Sequence, residues 1–284
     1  MKSIQKVSII YSTSRSTEKI LADIEKLIVE ASKNLLSVAS LKEIDKKKSI
    51  STISKSDLIL VIGGDGTMIG SIRELHQLNI PFLGINLGRV GFLTDIYPKN
   101  LSSLEEVLKG KYAHEKRPIY EAIFSEKNKD IFINEVVVHS GSITKMIDLE
   151  LKSNFDKIYD LKADGIIISS STGSTAYSYS GGGPIIFPGV SALSLLPMFS
   201  HSSSSHSLVM PDTEDLKVLI KNKLNTDPSV VVDGKNKLAY SKAGLTIRNT
   251  KKYFHLCHPK DYNYFAACRS KLGWAIPIES LKNE

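Results

Sequence analysis

The glycine-rich stretch GGDGT, residues 63–67, holds a carboxylate, Asp65, between an apolar run at 58–62 and a helical pattern. A glycine turn between a buried strand and a helix presents backbone N–H groups at the helix N-terminus, which favours phosphate binding. No Gly-Lys-Ser/Thr follows, so the stretch is not a P-loop. Two interpretations stay open. Asp65 caps a helix that begins near Thr67, or it takes the proton of a hydroxyl that attacks phosphorus.

A second glycine loop, GINLGRVGFLTD at 84–95, follows the next predicted strand, PFLGIN at 81–86. Ligands of open α/β sheets bind at the carboxyl edge of the strands. Both glycine loops are predicted to lie at that edge, where they would form one site. Phe92 within the second loop has two interpretations, a ligand contact or simple packing.

Two further segments carry polar side chains in otherwise apolar surroundings. The run NEVVVHS places Asn134 and Glu135 side by side on a strand-like stretch, so one of them faces inward. The segment at 163–185 is rich in serine, threonine and glycine and lies between apolar flanks. Small residues allow a ligand close to the backbone, and hydroxyl groups satisfy its polar edge. Tyr177 within it is a candidate for stacking on a base.

Other chemistries are disfavoured. STGSTAY is not the G-x-S-x-G pattern of serine hydrolases, and the histidines lack metal-ligand spacing, so no metal is assigned to protein side chains. The sequence VVDG at 231–234 predicts a hairpin turn first and a nucleotide contact second.

The pattern of elements predicts two domains. Alternating apolar strands and amphipathic helices predict an α/β N-terminal domain with a Rossmann-like parallel sheet, residues 1–117. Short β-rich runs separated by turns predict a mostly-β, β-sandwich-like C-terminal domain, residues 118–259. The last stretch, residues 260–284, is expected to pack back on the N-terminal domain.

Composition limits the partners and the compartment. The chain has 284 residues, 42% of them hydrophobic, with a formal net charge of +7. This basic balance fits phosphorylated small molecules, while the scattered lysines do not predict a nucleic-acid surface. No apolar run approaches the ~20 residues needed to span a bilayer. Cys257 and Cys268 predict two reduced thiols and a cytoplasmic protein.

Taken in order, these motifs resemble the NAD kinase family, in particular its bacterial type. The resemblance rests on six stretches that span most of the chain: GGDGT at 63–67, GINLGRVGFLTD at 84–95, NEVVVH at 134–139, ADGIIIS with TGSTAYSYSGGGPI up to 185, VVDG at 231–234, and RSKLGW at 269–274. GGDGT alone is also similar to lipid kinases and phosphofructokinases. The combination with TGSTAY and a following glycine run is far more specific.

The resemblance implies transfer of the γ-phosphoryl group of ATP, or of polyphosphate, to the 2′-hydroxyl of the adenosine ribose of NAD. It also implies a divalent cation, expected to be Mg²⁺ with ATP, and a homo-oligomer, a dimer or tetramer. Asp65 would be the catalytic carboxylate. The residues implied for the phosphates are Gly63, Gly64, Gly66 and Thr67. The residues implied for NAD are Gly66, Phe92, Asn134, Glu135, Asp164, Thr175, Ala176, Tyr177 and Ser180.

Two other functions remain as alternatives at this point. One is a different small-molecule kinase with the same glycine loop, acting on a lipid or a sugar phosphate. The other is a non-catalytic nucleotide-binding regulator. Asp65 argues against the regulator, because a neutral residue would bind phosphate better than a carboxylate does.

Overall fold

A computed structural model describes residues 4–44, 47–88, 91–142, 145–154, 156–202, 205–221, 228–237 and 244–275. The chain forms two compact units. The first comprises Met1–Lys116 and Phe254–Glu284, and the second comprises Arg117–Tyr253.

The first unit is an α/β domain. Its helices and strands are β1 (Lys6–Tyr11), α1 (Arg15–Glu30), β2 (Asn34–Ser40), α2 (Lys47–Ile53), β3 (Leu58–Gly63), α3 (Asp65–Leu75), β4 (Phe82–Asn86), α4 (Ser102–Leu108), the beginning of β5 (Tyr112–Ser125), the end of β16 (Leu245–Pro259) and α6 (Tyr264–Leu272). Four strands lie parallel in the order β2-β1-β3-β4, and Leu256 of β16 pairs in parallel with Phe82 of β4.

The sheet of the first unit is buried on both faces. Every residue of β3 is buried, which is the pattern of a parallel strand covered on two sides. The predicted α/β domain is therefore confirmed. β2 was not predicted, because its sequence NLLSVAS mixes polar and apolar residues without a clean period. Helix α6 buries Tyr264, Ala267 and Cys268 within this unit, so the predicted return of the C-terminal segment is confirmed for residues 260–275, while residues 276–284 lie outside the described part of the chain.

The second unit is mostly β. Its elements are the remainder of β5, β6 (Asn128–Phe132), β7 (Glu135–His139), β8 (Ile147–Lys152), β9 (Lys157–Ala163), β10 (Gly165–Ser170), α5 (Tyr177–Ser180), β11 (Ala192–Met198), β12 (Leu208–Pro211), β13 (Leu216–Ile220), β14 (Ser229–Val232), β15 (Lys235–Lys237) and the beginning of β16. One antiparallel sheet has the order β12-β11-β10-β7-β14-β15. The other contains β13 with β8 and β9, paired with β16.

A single hydrophobic core joins the two sheets of the second unit. Val136 and Ile168 come from one sheet, Leu149 and Val218 from the other, and all four are fully buried. Inward-facing residues of two sheets that pack face to face define a sandwich. The predicted sandwich-like domain is confirmed.

Some element boundaries differ from the sequence expectation. The helix predicted to begin near Thr67 begins at Asp65. The runs LTIRN and KYFHLCH, predicted as two strands, form the single strand β16. Strands pair through the backbone, so a polar stretch in the middle does not by itself end a strand.

Within the described residues, no helix is both long enough and apolar enough to cross a membrane. Cys257 and Cys268 are buried free thiols.

Candidate active site

Asp65 lies where β3 ends and α3 begins. Gly64 is the N-cap residue, with an extended backbone, and its carbonyl accepts hydrogen bonds from the amides of Thr67 and Met68. The interpretation in which Asp65 caps the helix is therefore wrong. The cap position belongs to a glycine, which has no side chain to occupy the helix N-terminus. The first amides of α3 are left facing a position where an anion is favourable.

The carboxylate of Asp65 is held by the second glycine loop. Its Oδ2 accepts from the amide of Phe92 at 2.6 Å, and its Oδ1 accepts from the amide of Leu93 and from Thr94 Oγ1, both at 3.1 Å. The two loops predicted to share one edge of the sheet are thus in direct contact. Each carboxylate oxygen can accept two hydrogen bonds. Within the described part of the chain, Oδ1 already has two donors, while Oδ2 has one and keeps an acceptor position for a further donor.

The surroundings of Asp65 shift its pKa in two directions. Burial raises the pKa, while the hydrogen bonds from Phe92, Leu93 and Thr94 and the charge of Lys271 lower it, and the net effect is a rise. A carboxylate with a raised pKa is a stronger base than an exposed one. A general base works best when its pKa approaches the working pH.

The glycines around Asp65 differ in how much space surrounds each of them. A Cβ on Gly63 would lie 2.4 Å from Thr67 Oγ1, so Gly63 is required by the close packing of strand end and helix. A Cβ on Gly64 or Gly66 would meet nothing within 4 Å among the described residues. The space beside Gly64 and Gly66 is open, which is what a phosphate approaching the backbone requires.

We expect alanine substitutions to separate these roles. Gly63→Ala should lower the free energy of unfolding by roughly 1–3 kcal/mol, because the added methyl group overlaps Thr67. Gly64→Ala and Gly66→Ala should leave stability nearly unchanged and raise the KM for ATP by about tenfold, the equivalent of one charge-assisted hydrogen bond. Urea unfolding and initial rates at varied ATP measure both effects. An unchanged KM in both Gly64→Ala and Gly66→Ala would contradict a phosphate position here.

The second unit contains a cavity of about 580 Å³, within the size range of small-molecule sites. Its apolar wall is formed by Val137, Met198, Phe199 and Val231, and its polar lining includes Glu135, His139, Asp164 and Tyr177. Tyr177 is 49% exposed, so its ring is accessible for stacking on a planar ligand.

Glu135 is the most strongly perturbed group of this cavity. Its side chain is buried, and burial together with the nearby charge of Asp233 raises its pKa to about 8, against a smaller lowering by a hydrogen bond from the amide of Tyr177. Among the described residues, its Oε2 has no hydrogen-bond partner. At neutral pH this carboxyl is largely protonated, so it can donate a hydrogen bond as well as accept one.

The pKa of Glu135 predicts a pH-dependent stability. The folded state holds the Glu135 proton up to about pH 8, whereas the unfolded chain releases it near the ordinary glutamate value. The contribution of Glu135 to the free energy of unfolding is therefore fully present at acidic pH. It falls by roughly 1 kcal/mol per pH unit as pH rises towards 8 and is lost above that pH. Glu135→Gln should remove this slope. Urea unfolding of the wild type, Glu135→Gln and the exposed control Glu126→Gln from pH 5 to 9 measures it, and parallel curves for wild type and Glu135→Gln would contradict the prediction.

Asp233 fixes the backbone that carries Asn134 and Glu135. Its Oδ2 accepts from the amide of Ile133 at 2.8 Å, and its Oδ1 accepts from the amides of Asn134 and Glu135 at 2.8 and 3.2 Å. Asp233 and Gly234 both have positive φ, 44° and 75°, in the turn between β14 and β15. The predicted hairpin turn is present, and its carboxylate also braces the neighbouring strand, which the sequence did not indicate.

The hydroxyl-rich segment lies between its apolar flanks, and four of its hydroxyls donate to backbone carbonyls: those of Ser169, Ser170, Ser171 and Ser174. Ser170 Oγ donates to Ile133 O and accepts from the amide of Gly173, and Ser174 Oγ donates to Ser171 O and accepts from the amide of Ile186. The expectation that hydroxyl groups of this segment satisfy the polar edge of a ligand is wrong for Ser170 and Ser174. They satisfy buried polar groups where the chain leaves β10 without a regular ladder.

The predicted site residues fall into two groups. Gly63, Gly64, Asp65, Gly66, Thr67 and Phe92 belong to the first unit, where the Phe92 ring is buried 6.3 Å from the ring of Tyr264 and its amide contacts Asp65. Of those in the second unit, Glu135, Asp164 and Tyr177 line the cavity. The others are Asn134, Thr175, Ala176 and Ser180, which are near in sequence to the lining residues.

The sequence interpretation missed several lining residues. Met198 is the last residue of β11, a strand that was not predicted, and Phe199 follows it; His139 lies in the quoted stretch NEVVVH but was not predicted as a site residue. Phe199 is 78% exposed with a φ of 47°. Their exposure is visible only in the structure, so the sequence offered no signal for them beyond apolar residues at the end of a strand.

Two family models match the chain: the ATP-NAD kinase N-terminal domain over residues 10–112 and the ATP-NAD kinase C-terminal domain over residues 133–258. An NAD kinase of Marinobacter nauticus is 37% identical over 279 residues, 96% of this chain and 94% of that protein. An NAD kinase of Azotobacter vinelandii is 41% identical over 224 residues, 77% and 76% of the two chains.

Two solved structures are similar in fold. An NAD kinase from Archaeoglobus fulgidus in complex with ATP superposes with a TM-score of 0.78 at 22% identity, over 95% of this chain and 99% of the other. A yeast NADH kinase complexed with NADH gives a TM-score of 0.84 at 20% identity, over 98% and 90%. At these identities the likeness establishes the fold.

Proposed function

The chain belongs to the ATP-NAD kinase family, and from this membership we propose that it transfers the γ-phosphoryl group of ATP to the 2′-hydroxyl of the adenosine ribose of NAD, producing NADP. The relatives with which it shares 37–41% identity are NAD kinases. The lipid kinase, the sugar-phosphate kinase and the non-catalytic regulator are not favoured by any of these relatives.

One observation carries the proposed mechanism: Oδ2 of Asp65 is held by the amide of Phe92 and keeps one acceptor position. In the proposed reaction the 2′-hydroxyl donates its proton to Oδ2, and its oxygen forms a bond to the γ-phosphorus. The bond between that phosphorus and the β–γ bridging oxygen breaks, and ADP leaves. The three donors on Asp65 fix the direction of its carboxylate before substrate arrives, and such positioning is the main contribution of the protein to phosphoryl transfer.

The donor phosphates are assigned to the N-terminus of α3, beside Gly64 and Gly66. Open space next to both glycines and the positive end of the helix dipole support this position. Among the described residues, no group of three or more His, Cys, Asp or Glu side chains is arranged to hold a metal ion. We propose that Mg²⁺ enters as part of the magnesium–ATP substrate, where it offsets the phosphate charge facing Asp65.

NAD is assigned to the cavity of the second unit. Tyr177 offers an exposed ring to a base, and a largely protonated Glu135 can hydrogen-bond a neutral ribose or amide group without placing a second negative charge near the pyrophosphate. Asn134, Asp164, Thr175, Ala176, Ser180 and Phe92 are proposed as further contacts to NAD.

A coupled assay tests the function. Purified protein is incubated with NAD, ATP and Mg²⁺, and NADP is detected by an NADP-specific dehydrogenase. We expect NADP to form with ATP and Mg²⁺ and to be lost when EDTA removes the cation. Replacing ATP by polyphosphate, and NAD by NADH, measures donor and acceptor choice. No NADP with either donor would overturn the proposal.

We also propose a cytoplasmic homo-oligomer, a dimer or tetramer. Two free buried thiols fit a reducing compartment, and the resemblance to NAD kinases supports an assembly of identical subunits. Light scattering on the purified protein tests the assembly, and a single mass near the 31.3 kDa of one chain would contradict it.

A further inference from the structure

We propose that Lys271, on helix α6, is a positioning residue for phosphoryl transfer: it anchors the loop 91–95, whose donors orient Asp65. The inference rests on the proposed role of Asp65 as the base. All the residues involved belong to the first unit.

Lys271 is a largely buried cation in contact with this loop. Its side chain is only 10% exposed. Nζ donates a hydrogen bond to the carbonyl of Gly91, lies 5.3 Å from the centroid of the Phe92 ring, and lies 4.0 Å from Asp95 Oδ1. A lysine that only favoured the C-terminal end of its helix would stay in solvent, as the exposed Arg269 of the same turn does.

Asp95 gives the loop its second attachment. Its Oδ2 is hydrogen-bonded to Nδ1 of His258, a side chain only 2% exposed, and Nε2 of His258 lies 2.9 Å from Glu115 Oε2. Asp95 Oδ1 is buried and has no hydrogen-bond donor among the described residues, so Lys271 is the cation that faces it. A buried carboxylate that loses its opposite charge is strongly destabilised.

The loop is therefore fastened on both sides of the donors that hold Asp65. Lys271 holds the carbonyl of Gly91, and Lys271 and His258 hold the carboxylate of Asp95. The residues between these two points, Phe92 to Thr94, are the ones that donate to Asp65. If either attachment moves, the donors move with it. The carboxylate of Asp65 then turns, and the free acceptor position on Oδ2 points in a different direction.

Lys271→Met tests the proposal, because methionine keeps the apolar stem and removes the charge and the donor. We expect kcat to fall by about 10- to 100-fold, since small misplacements of catalytic groups carry costs of this size, while the KM values for NAD and ATP stay within about twofold. Arg269→Met, on the same helix turn, is the matched control and should retain wild-type kcat. Lys271→Arg keeps the charge and should recover part of the loss.

The pH dependence of kcat/KM distinguishes a positioning role from a merely structural one, because loss of structure alone would not shift the pKa of Asp65. The charge of Lys271 lowers the pKa of Asp65, so its removal should shift the acidic limb of kcat/KM to higher pH. The other titratable groups around this arrangement are Asp95 and, behind it, His258 and Glu115, and none of them is changed by the substitution. Hydrogen exchange of the peptide covering 91–95 should be faster in Lys271→Met and unchanged in Arg269→Met.

Failure of this inference can be distinguished from failure of the proposed function. If Asp65→Asn is inactive while Lys271→Met keeps wild-type kcat, acidic limb and exchange protection, the role of Lys271 is overturned and that of Asp65 stands. If Lys271→Met does not fold, Lys271→Gln decides the matter, because it also removes the charge but keeps a hydrogen-bond donor; a wild-type kcat and a wild-type acidic limb in that variant would overturn the inference. Turnover by Asp65→Asn would overturn the proposed base itself.

Discussion

Asp65→Asn is expected to lower kcat by about 10²- to 10⁴-fold, the usual cost of losing a general base. Asparagine has nearly the same shape but cannot take a proton from the 2′-hydroxyl. Asparagine keeps one acceptor oxygen for the 2′-hydroxyl, so the Kd for NAD should change by less than about threefold, roughly 0.7 kcal/mol. Single-turnover formation of NADP and calorimetric binding of NAD measure the two quantities separately.

The surroundings of Asp65 require a stability control for this variant. Asparagine offers one acceptor oxygen where the carboxylate offers two, so one of the donors at Phe92 or Leu93 loses its partner. This loss should cost about 1–3 kcal/mol of unfolding free energy. Asp23→Asn, an exposed carboxylate on α1, is the matched control and should retain both stability and kcat. A folded Asp65→Asn protein with near-normal turnover would exclude Asp65 as the base.

The architecture around Asp65 was predictable because its signals are local. A continuous apolar run, a glycine turn and a helical period identify β3 and α3, and parallel strands end at the same edge of a sheet. From these rules alone, the loops after β3 and β4 had to meet. The rules do not say that the carboxylate of one loop is bound by the amides of the other, because backbone donors are the same for every sequence.

Contacts between distant residues were beyond the sequence. His258 meets Asp95 across 163 residues, and Lys271 meets Gly91 across 180. No periodicity links such positions, and a lysine or histidine has an ordinary solvated explanation at each of them. The roles of Asp95, His258 and Lys271 therefore required the structure, although all three lie inside stretches that had been quoted for other reasons.

For the hydroxyl-rich segment at 163–185, the sequence predicted ligand contacts for side chains that instead bond to the backbone. Its composition suggested a ligand, yet Ser170 and Ser174 bond to neighbouring backbone groups. Serine hydroxyls satisfy buried peptide groups and ligand atoms equally well. Composition could therefore locate the segment next to the cavity through Tyr177 but could not assign the individual side chains.

Gly91→Ala is expected to reduce kcat by on the order of 10²-fold while the chain still folds. A Cβ at this position would lie 2.3 Å from Thr94 Oγ1 and 2.9 Å from both Asn86 Nδ2 and Asp65 Oδ1. Thr94 and Asn86 are buried, so neither can turn away into solvent. The added methyl group must displace the loop or the carboxylate, and a displacement of about 1 Å at the reacting groups can cost two orders of magnitude in rate.

A double variant separates this steric effect from general destabilisation. Thr94→Ala removes the closest atom and one of the three donors to Asp65, so alone it should lower kcat only modestly. In the presence of Thr94→Ala, Gly91→Ala should cost less than it does in the wild type, and this non-additivity is the signature of a shared contact. Gly189→Ala is the control, because its Cβ would lie at an ordinary 3.4 Å from Phe187. If the losses of Gly91→Ala and Thr94→Ala simply add, or if the loss of rate equals the unfolded fraction, the carboxylate of Asp65 is not positioned by the close approach of Gly91.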